Sequence, residues 1–244
     1  MHPLSILHSH SPLVPDVDFH YQMAYREQVL SRYQDMDWPK YFLAPQLRAL
    51  ANLPTINEHQ RMLLLLLWNT GARINELLAV CPNDLTEIVH PQGGARQTLI
   101  RLKTLKHQRT ATSGRPAKNL VRTVPLFDPD FTNTLKRYLV THCSNKKLPI
   151  FGSVRDKSKP MSAETARQWF KKIDAANAAS ESPVKLLIEL TPRSLRHSFA
   201  VHCLLHGIHI KRIQLYLGHS RMESTEIYTK LLTIDFDMNT VIRF

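Results

Sequence analysis

Four segments of this chain carry side chains that could act together on a phosphate ester. In chain order they are TGARINEL (70–77), TPRSLRHSFA (191–200), LGHS (217–220) and a tyrosine, Tyr228, nine residues after His219. A phenol can act as a nucleophile, guanidinium groups bind phosphate oxygens in bidentate geometry, and imidazole or ammonium groups transfer protons. This combination of groups fits the attack of a phenol on a DNA phosphodiester.

The net charge also favours a polyanionic partner. It is +12, and residues 1–50 carry four Lys/Arg against five Asp/Glu, so the positive excess lies in 51–244. The window 88–127 contains no acidic residue and eight basic ones. Such a window could be a solvated loop, but its length favours contact with phosphates. The residues of this window that we assign to DNA contact are Arg101, Arg109, Arg115, Lys118 and Arg122.

The composition argues against several other classes of protein. The three cysteines are far apart and form no CxxC pair, which makes a zinc site or a disulfide framework unexpected and fits a reduced, cytoplasmic protein. His202 and His206 lack the glutamate of a zinc-protease motif, and neither a P-loop nor a GxGxxG sequence occurs. The acidic residues form no obvious two-metal cluster, so we expect neither a metal nor another cofactor; these residues are Asp84, Glu87, Asp128 and Asp130. The apolar run 62–68 is shorter than the roughly 20 residues of a membrane span, and no signal peptide is apparent.

The elements that must position these residues are mostly helical. An apolar helix should begin at a capping box in 55–58 and end at Gly71, and the next should begin at about Arg73, where unpaired backbone N–H groups favour an anion. Two strands, 97–102 and 121–126, predict a small antiparallel sheet. The fold class is therefore mainly α with a small antiparallel β-sheet. Further helices are predicted at 130–142, at 162–178 and from Thr191 to about Gly207, and Gly218 is expected to end another. A capping box at 220–223 predicts a short helix that carries Tyr228.

The first part of the chain differs in composition from the rest. Residues 1–45 are rich in Pro and His, and at most one helix, around 21–33, fits them. We interpret 1–45 as an N-terminal arm, partly irregular, and 46–244 as the domain that carries the chemistry.

The order and spacing of the motifs resemble those of the catalytic domain of the tyrosine recombinases, the phage integrase family. The resemblance covers 46–244 and rests on the three basic motifs, the late tyrosine and the basic hairpin between the first two motifs. It implies a domain that breaks and rejoins DNA. Tyr228 would be the nucleophile, Arg73 and Arg196 would bind the nonbridging phosphate oxygens, and His219 would bond the scissile phosphate and assist proton transfer.

The resemblance implies further roles. A lysine in the turn between two strands would protonate the leaving 5′-hydroxyl, and Lys103 and Lys106 are the candidates, with Lys106 preferred because it lies deeper in the loop. Glu76 would support Arg73, and His197 would have a supporting role. Structural alternatives stay open, because Arg73 could simply form a surface salt bridge with Glu76 and His219 could cap a helix end.

Two features depart from the usual pattern of the family. The family usually has His three residues before the second arginine, where this chain has Arg193. Arginine cannot act as a general base but can bind phosphate, so either charge stabilisation serves at this position, which we favour, or activity is reduced. Residues 1–45 are also too few for the additional helical domain of many members. The chain therefore resembles short members, such as plasmid multimer resolvases and fimbrial phase-variation invertases.

The resemblance also implies the partners. Strand exchange would use a homo-tetramer on two double-stranded DNA sites, with a dimer on each site. The resemblance also allows accessory DNA-bending proteins as partners. The tail 231–244 would pack into a neighbouring subunit or on its own subunit. The outcome would be resolution, inversion or integration of a plasmid or mobile element. Two other functions stay open: a noncatalytic DNA-binding regulator derived from a recombinase, and a type IB-like topoisomerase.

Overall fold

The computed structural model describes residues 40–89, 94, 96–104 and 121–229. In this part of the chain the fold is mainly α with one small antiparallel sheet, as predicted. None of the helices among these residues is both long enough and apolar enough to cross a membrane. The helices are α1 (Ala44–Ala51), α2 (Glu58–Thr70), α3 (Ile74–Leu78), α4 (Pro129–His142), α5 (Ala163–Ala178), α6 (Pro192–Leu205), α7 (Ile210–Leu217) and α8 (Glu223–Glu226).

The sheet has the strand order β1 (Leu85–Val89), β2 (Arg96–Lys103) and β3 (Val121–Pro125), and both pairs are antiparallel. The two predicted strands are confirmed as β2 and β3. Strand β1 was not predicted. It is exposed along almost its whole length, so its sequence lacks the alternation of apolar and polar residues that a half-buried strand shows. Ile100 at the centre of β2 is fully buried, which fixes the face of the sheet that packs on the helices.

Helix α2 lies at the centre of the hydrophobic core. Leu63, Leu64, Leu66 and Leu67 are fully buried, and the helix packs against α6 as well as α1, α3, α4 and α5. Each such leucine stabilises the fold by roughly 1.5–3 kcal/mol relative to an exposed position. The core therefore holds in place the carboxyl-terminal end of α2, which leads directly into the arginine motif.

The start of α2 differs from the prediction, and its end agrees with it. Asn57, not Thr55, is the N-cap, because its side chain accepts from Gln60 N–H at 2.8 Å while Gln60 Oε1 accepts from Asn57 N–H at 3.0 Å. The helix ends at Gly71 in the left-handed region (φ 57°). A Cβ at Gly71 would collide with the ring of Phe199 on α6, so the close approach of the two helices also requires glycine.

Helix α6 begins as predicted. Thr191 is its N-cap and accepts from Ser194 N–H at 3.1 Å, and Pro192 is its first residue. Its first two turns carry the second basic motif, and packing against α2 and α7 places that motif beside the first one. The helix ends at Leu205, just before Gly207.

The packed region begins before residue 46. Tyr41 and Phe42 are buried, Phe42 N–H donates to Ser198 Oγ on α6 at 2.8 Å, and α1 starts at Ala44. These contacts join 41–45 to the core rather than to an arm. The predicted irregular arm otherwise falls on residues outside the described part of the chain and stays a prediction.

Candidate active site

Arg73 lies at the N-cap of α3 and is held by Glu76 one turn later. Glu76 Oε2 accepts from Arg73 N–H at 3.0 Å, and Oε1 accepts from Arg73 Nη1 at 2.8 Å. The salt bridge between Arg73 and Glu76, which was the structural alternative to a catalytic role, is therefore present. A second contact goes beyond it, because Arg73 Nη2 also donates to the carbonyl oxygen of Gly218 at 3.4 Å. The side chain keeps 34% of its surface exposed, which leaves it accessible to a ligand.

Arg196 on α6 is buried and is held by backbone oxygens. Its Nη1 donates to Gly71 O at 2.6 Å and its Nη2 donates to Leu217 O at 2.7 Å. Both carbonyls belong to helix ends, where oxygen atoms lack partners inside the helix and carry partial negative charge. Burial, followed by the nearby positive charges of Arg73 and Arg122, lowers the pKa of Arg196 to about 10. The group is still a cation at neutral pH.

The two guanidinium groups converge on one turn. Arg196 donates to Leu217 O and Arg73 to Gly218 O, on consecutive residues at the end of α7. Gly218 takes the left-handed conformation (φ 65°) that ends this helix, as predicted. The next residue is His219, so the turn brings the third basic motif to the first two.

A buried carboxylate stabilises this arrangement from behind. Glu76 Oε2 also accepts from Arg122 Nη2 on β3 at 2.5 Å, and Arg122 Nε donates to Tyr216 O at 2.7 Å. Burial alone would raise the pKa of Glu76, but hydrogen bonds and charge from Arg122 and Arg73 outweigh burial and lower it below its usual value. Glu76 is therefore ionised and bridges two arginines.

The prediction that Arg122 contacts DNA does not fit this geometry. Only 9% of its side chain is exposed, and two of its nitrogens are committed to Glu76 and to the Tyr216 backbone. We interpret it as the residue that ties β3 to α3 and α7. Sequence reasoning assigned it to the surface because it lies in a run of basic residues, whereas the alternation of β3 decides which residue points inward.

Tyr228 lies in the turn directly after α8. The predicted capping box at 220–223 is wrong: α8 begins at Glu223 after Met222, whose side chain has no oxygen to accept from the backbone, and within the described residues no side chain caps it. Tyr228 N–H donates to Thr225 O at 3.1 Å. The nucleophile candidate is therefore fixed by a turn of backbone rather than by the helix itself.

The phenol of Tyr228 is buried, with 1% of the residue exposed, and it meets an imidazole. Its Oη lies 2.8 Å from His197 Nδ1, and the ring centroids are 5.7 Å apart. Burial raises the pKa of Tyr228 to about 12, although the positive charges of Arg196 and Arg193 act in the opposite direction. In this conformation the phenol is protonated at neutral pH.

His219 follows the glycine turn and is half-buried. Its Nδ1 lies 2.9 Å from Thr225 Oγ1, which connects it to the helix just before Tyr228. Burial, followed by the positive charges around it, lowers the pKa of His219 to about 4; the charged neighbours are Arg196, Arg73, His197 and Arg122. At neutral pH His219 is uncharged, so it can accept or donate a proton as a neutral imidazole.

The remaining predicted residues lie at the edge of this cluster or outside the described chain. Arg193 is exposed on the first turn of α6, and its Nε lies 3.4 Å from His197 Nε2. Lys103 and Arg101 at the end of β2 both pair with the buried Asp84, at 3.7 and 3.1 Å, and more than half of each side chain is exposed. The predicted residues outside the described part of the chain are Lys106, Arg109, Arg115 and Lys118.

A cleft of about 550 Å³ opens beside the two arginines. Its walls combine apolar side chains, such as Phe170, with Arg73, Arg193 and Arg196. Two basic residues of α5, Arg167 and Lys171, also line it. Sequence reasoning missed these two, although their spacing of four residues places them on one face of the helix.

The match to protein families agrees with this geometry. Residues 42–233 match the phage integrase family. A resolvase of Escherichia coli K12 is 35% identical over 205 residues, which is 81% of this chain and 73% of that protein. The chain belongs to the phage integrase family.

Solved structures have the same fold. The XerH site-specific recombinase bound to its difH substrate superposes with a TM-score of 0.54 at 20% identity, over 79% of this chain and 50% of that one. The Tn1549 transposon integrase in complex with circular intermediate DNA superposes with a TM-score of 0.55 at 16% identity, over 85% and 71%. This chain thus spans half the length of the first structure, and both similarities establish its fold as that of a tyrosine recombinase catalytic domain.

Proposed function

We propose that this protein is a site-specific DNA recombinase that cuts and rejoins duplex DNA through a covalent 3′-phosphotyrosyl link at Tyr228. One observation carries the proposal: Arg73 and Arg196, which are far apart in the sequence, donate to consecutive carbonyls of the turn that precedes His219. Membership of the phage integrase family supports the same reaction class. The chain's net charge of +12 supports DNA as the partner.

In the proposed reaction the Tyr228 oxygen attacks the scissile phosphorus. The bond between phosphorus and the 5′-oxygen breaks, the 3′-phosphotyrosyl bond forms, and the proton lost by the phenol is balanced by the proton that the 5′-oxygen gains. Arg73 and Arg196 stabilise the additional negative charge on the nonbridging oxygens. His219, neutral at pH 7, assists the transfer of a proton, and Lys106 or Lys103 protonates the leaving oxygen.

The reverse reaction then joins a different strand. A free 5′-hydroxyl from a partner strand attacks the phosphotyrosyl link and releases Tyr228. The covalent link conserves the energy of the phosphodiester bond, so the two steps need no external energy source. We propose that exchange takes place in a homo-tetramer on two sites, with a dimer on each, and that 231–244 takes part in the subunit contact.

The biological role that we propose is resolution of plasmid or mobile-element DNA in the cytoplasm. The resolvase of Escherichia coli K12, at 35% identity, supports this choice over inversion or integration. We propose that the DNA face also includes Arg101, Arg109, Arg115 and Lys118. Arg193 would contribute positive charge rather than act as a base.

The test is a covalent-trapping assay. Protein is mixed with nicked duplex fragments from the region that flanks its own coding sequence and is separated on a denaturing gel. A slow protein–DNA band is expected for the wild type and for Tyr216→Phe, a nearby half-buried tyrosine that serves as the matched control. The band should be absent for Tyr228→Phe.

A second candidate function is a noncatalytic DNA-binding regulator. The observation that favours it is the burial of Tyr228 together with the raised pKa of its phenol. Retarded DNA on a native gel without a covalent band for any protein would support the regulator and contradict the recombinase.

A further inference from the structure

Hydrogen bonds link three side chains in series, Arg193 on the first turn of α6, His197 one turn later and Tyr228. Arg193 and His197 lie one helical turn apart, and Arg193 Nε donates to His197 Nε2 at 3.4 Å. On the other side of the ring, His197 Nδ1 lies 2.8 Å from Tyr228 Oη. The exposed guanidinium is thereby connected to the buried phenol through one imidazole.

The direction of hydrogen bonding along this series follows from the chemistry of arginine. A guanidinium carries N–H donors and no acceptor, so His197 Nε2 must accept from Arg193. A neutral imidazole has one donor nitrogen and one acceptor nitrogen, so Nδ1 then carries the hydrogen. Nδ1–H therefore donates to Tyr228 Oη, and the phenol's own hydrogen is left to point to another acceptor, such as an incoming phosphate.

We infer that His197 is a further catalytic residue, which holds the attacking oxygen of Tyr228 by a donated hydrogen bond, and that Arg193 is a positioning residue, which fixes the imidazole tautomer that can donate. This inference rests on the proposed function. A donated hydrogen bond stabilises the phenolate more than the phenol, so it makes the nucleophile easier to form. His197 takes no proton in this scheme, and its Nδ1–H stays in place while the phenol loses its hydrogen.

The same geometry gives a role to the arginine that departs from the pattern of the family. A guanidinium is a donor in every state, so the tautomer of His197 does not change with the protonation of its neighbour. A base at this position is not required, since Arg193 acts on the nucleophile through His197 and not on a proton of the substrate.

Other charged groups also act on Tyr228, and the tests must separate them from His197. Positive charge from Arg196 and Arg193 opposes the effect of burial on the phenol pKa. Among the described residues, the charged and titratable groups of the cluster are Arg193, Arg196 and His197 on α6, His219 after α7, Arg73 before α3, Glu76 on α3 and Arg122 on β3.

The first test reads the tautomer directly. The protein is labelled with ¹⁵N-histidine, and the His197 signals are assigned by their loss in His197→Asn. We expect the wild-type ring to carry its hydrogen on Nδ1, and Arg193→Met to shift the population towards hydrogen on Nε2. A wild-type ring with its hydrogen on Nε2 would overturn the inference.

The second test measures the phenol. A trifluorinated tyrosine at position 228 titrates in a range in which the protein is folded, and ¹⁹F NMR reports it. His197→Phe should raise its pKa by about one to two pH units, the size of one hydrogen bond to a charged group. His197→Asn should leave the pKa close to that of the wild type, because the amide keeps an N–H donor near the same place. Equal pKa values in the wild type, His197→Phe and His197→Asn would contradict the role of His197.

A double-mutant cycle separates the two ways in which Arg193 could act. Arg193→Met should raise the pKa of the fluorinated phenol more in the wild-type background than in the His197→Phe background, where only the direct effect of its charge is lost. An equal rise in both backgrounds would mean that Arg193 acts by its charge alone and would overturn its positioning role.

None of these measurements requires DNA, so they stand apart from the proposed function. In the trapping assay His197→Phe should slow formation of the covalent band by about tenfold or more, as expected for a phenol that is harder to deprotonate, and His197→Asn should restore most of the rate. If no protein forms a covalent band, the proposed function fails whatever the NMR results are. If the band forms at the same rate in His197→Phe, the function stands and the catalytic role of His197 fails.

Discussion

The two halves of the candidate site are held in different ways. The arginine half consists of Arg73, Glu76, Arg122 and Arg196, and it is a network of charges. Glu76 bridges two guanidiniums at 2.8 and 2.5 Å, and Arg196 donates to two backbone oxygens at 2.6 and 2.7 Å. Every one of these contacts joins formal or partial charges, and most of them are shielded from water.

The tyrosine half consists of His197, His219, Thr225 and Tyr228, and the hydrogen bonds among these residues join imidazole rings to hydroxyl groups. His219 meets a hydroxyl at 2.9 Å, and Tyr228 meets His197 at 2.8 Å. Burial lowers the pKa of His219 to about 4 and raises the pKa of Tyr228 to about 12. Both groups are therefore uncharged at neutral pH.

The contrast assigns different tasks to the two halves. Charges that are fixed before the substrate arrives can stabilise a transition state without reorganisation. A nucleophile and a proton-transfer group must instead change their protonation state during the reaction. Hydrogen bonds between imidazole and hydroxyl groups suit this task, because they can persist in both the protonated and the deprotonated form. Substitutions in the first half should therefore affect stability as well as activity, and substitutions in the second half should mainly affect activity and its pH dependence.

The largest expected effect on stability is that of Glu76→Gln. The change leaves the guanidiniums of Arg73 and Arg122 without an ionised partner, and loss of one partner from a buried ion pair costs about 3–5 kcal/mol. Thermal or urea unfolding measures it. Glu87→Gln, which breaks the exposed pair of Glu87 with Lys136, is the matched control and should change the free energy of unfolding little.

The same carboxylate also predicts a pH dependence. The pKa of Glu76 is lower in the folded protein than its usual value of 4.5, so its contribution to stability is complete above that value and is lost as the pH falls through the folded pKa. Stability that falls equally at low pH in the wild type and in Glu76→Gln would contradict this account.

Arg196→Lys should have the largest effect on activity with an intact fold. An ammonium cannot donate to Gly71 O, to Leu217 O and to a phosphate in a planar arrangement at the same time. We expect formation of the covalent band to slow by about 10²–10³-fold, as for loss of a preorganised donor to a developing charge. Arg167→Lys in the same cleft is the control, and a loss of the same size in both variants would argue against a special role for Arg196.

A smaller effect is expected from the buried imidazoles. The pKa of His219 is about 4 in the folded protein and 6.5 when unperturbed, so the unfolded chain binds more protons and stability falls as the pH drops from 6.5 to 4. In His219→Gln the loss of free energy of unfolding between pH 6.5 and pH 4 should be smaller by about 1 kcal/mol, a value that allows for screening by solvent.

His202, whose ring contacts Trp68 and His206, provides the comparison for His219. Burial also lowers its pKa to about 4, so His202→Leu should reduce the same fall in stability. The covalent band should be slowed in His219→Gln and unchanged in His202→Leu. Equal rates of covalent-band formation in the two variants would contradict a role of His219 in the reaction.

The smallest effect on stability is expected for Arg101→Ala. Its ion pair with Asp84 is more than half exposed on the arginine side, so its loss should cost no more than about 1 kcal/mol. If Arg101 contacts a DNA phosphate, the slope of log affinity against log salt should fall by about one unit. An unchanged slope in a filter-binding or anisotropy titration would exclude that contact.

Local signals in the sequence predicted most of the elements. The starts of α5 and α6 follow directly from Ser162 and Thr191, because a capping side chain acts within three residues of itself. The glycine that ends α2 and the one that ends α7 were also predicted. The same kind of signal failed at α8, where the pattern of a capping box is present but the turn before Met222 does not use it.

Contacts between distant segments were beyond the reach of a single sequence. Arg122 looked like a member of the basic loop, and only the register of β3 against β2 brings it to Glu76. The bond from His197 to Tyr228 likewise depends on how α6 packs against the turn after α8, and no residue spacing records that packing. The motifs therefore predicted the central residues of the candidate site, whereas the fold determines which of them touch.

The measurement that tests the central claim most directly is the chemical identity of the covalent link. The protein–DNA adduct would be digested with protease and nuclease, and the modified peptide would be sequenced by mass spectrometry. The account predicts a nucleotide attached through its 3′-phosphate to Tyr228, together with a free 5′-hydroxyl on the other DNA end. A nucleotide on any other residue, or a 5′-phosphate link, would contradict it.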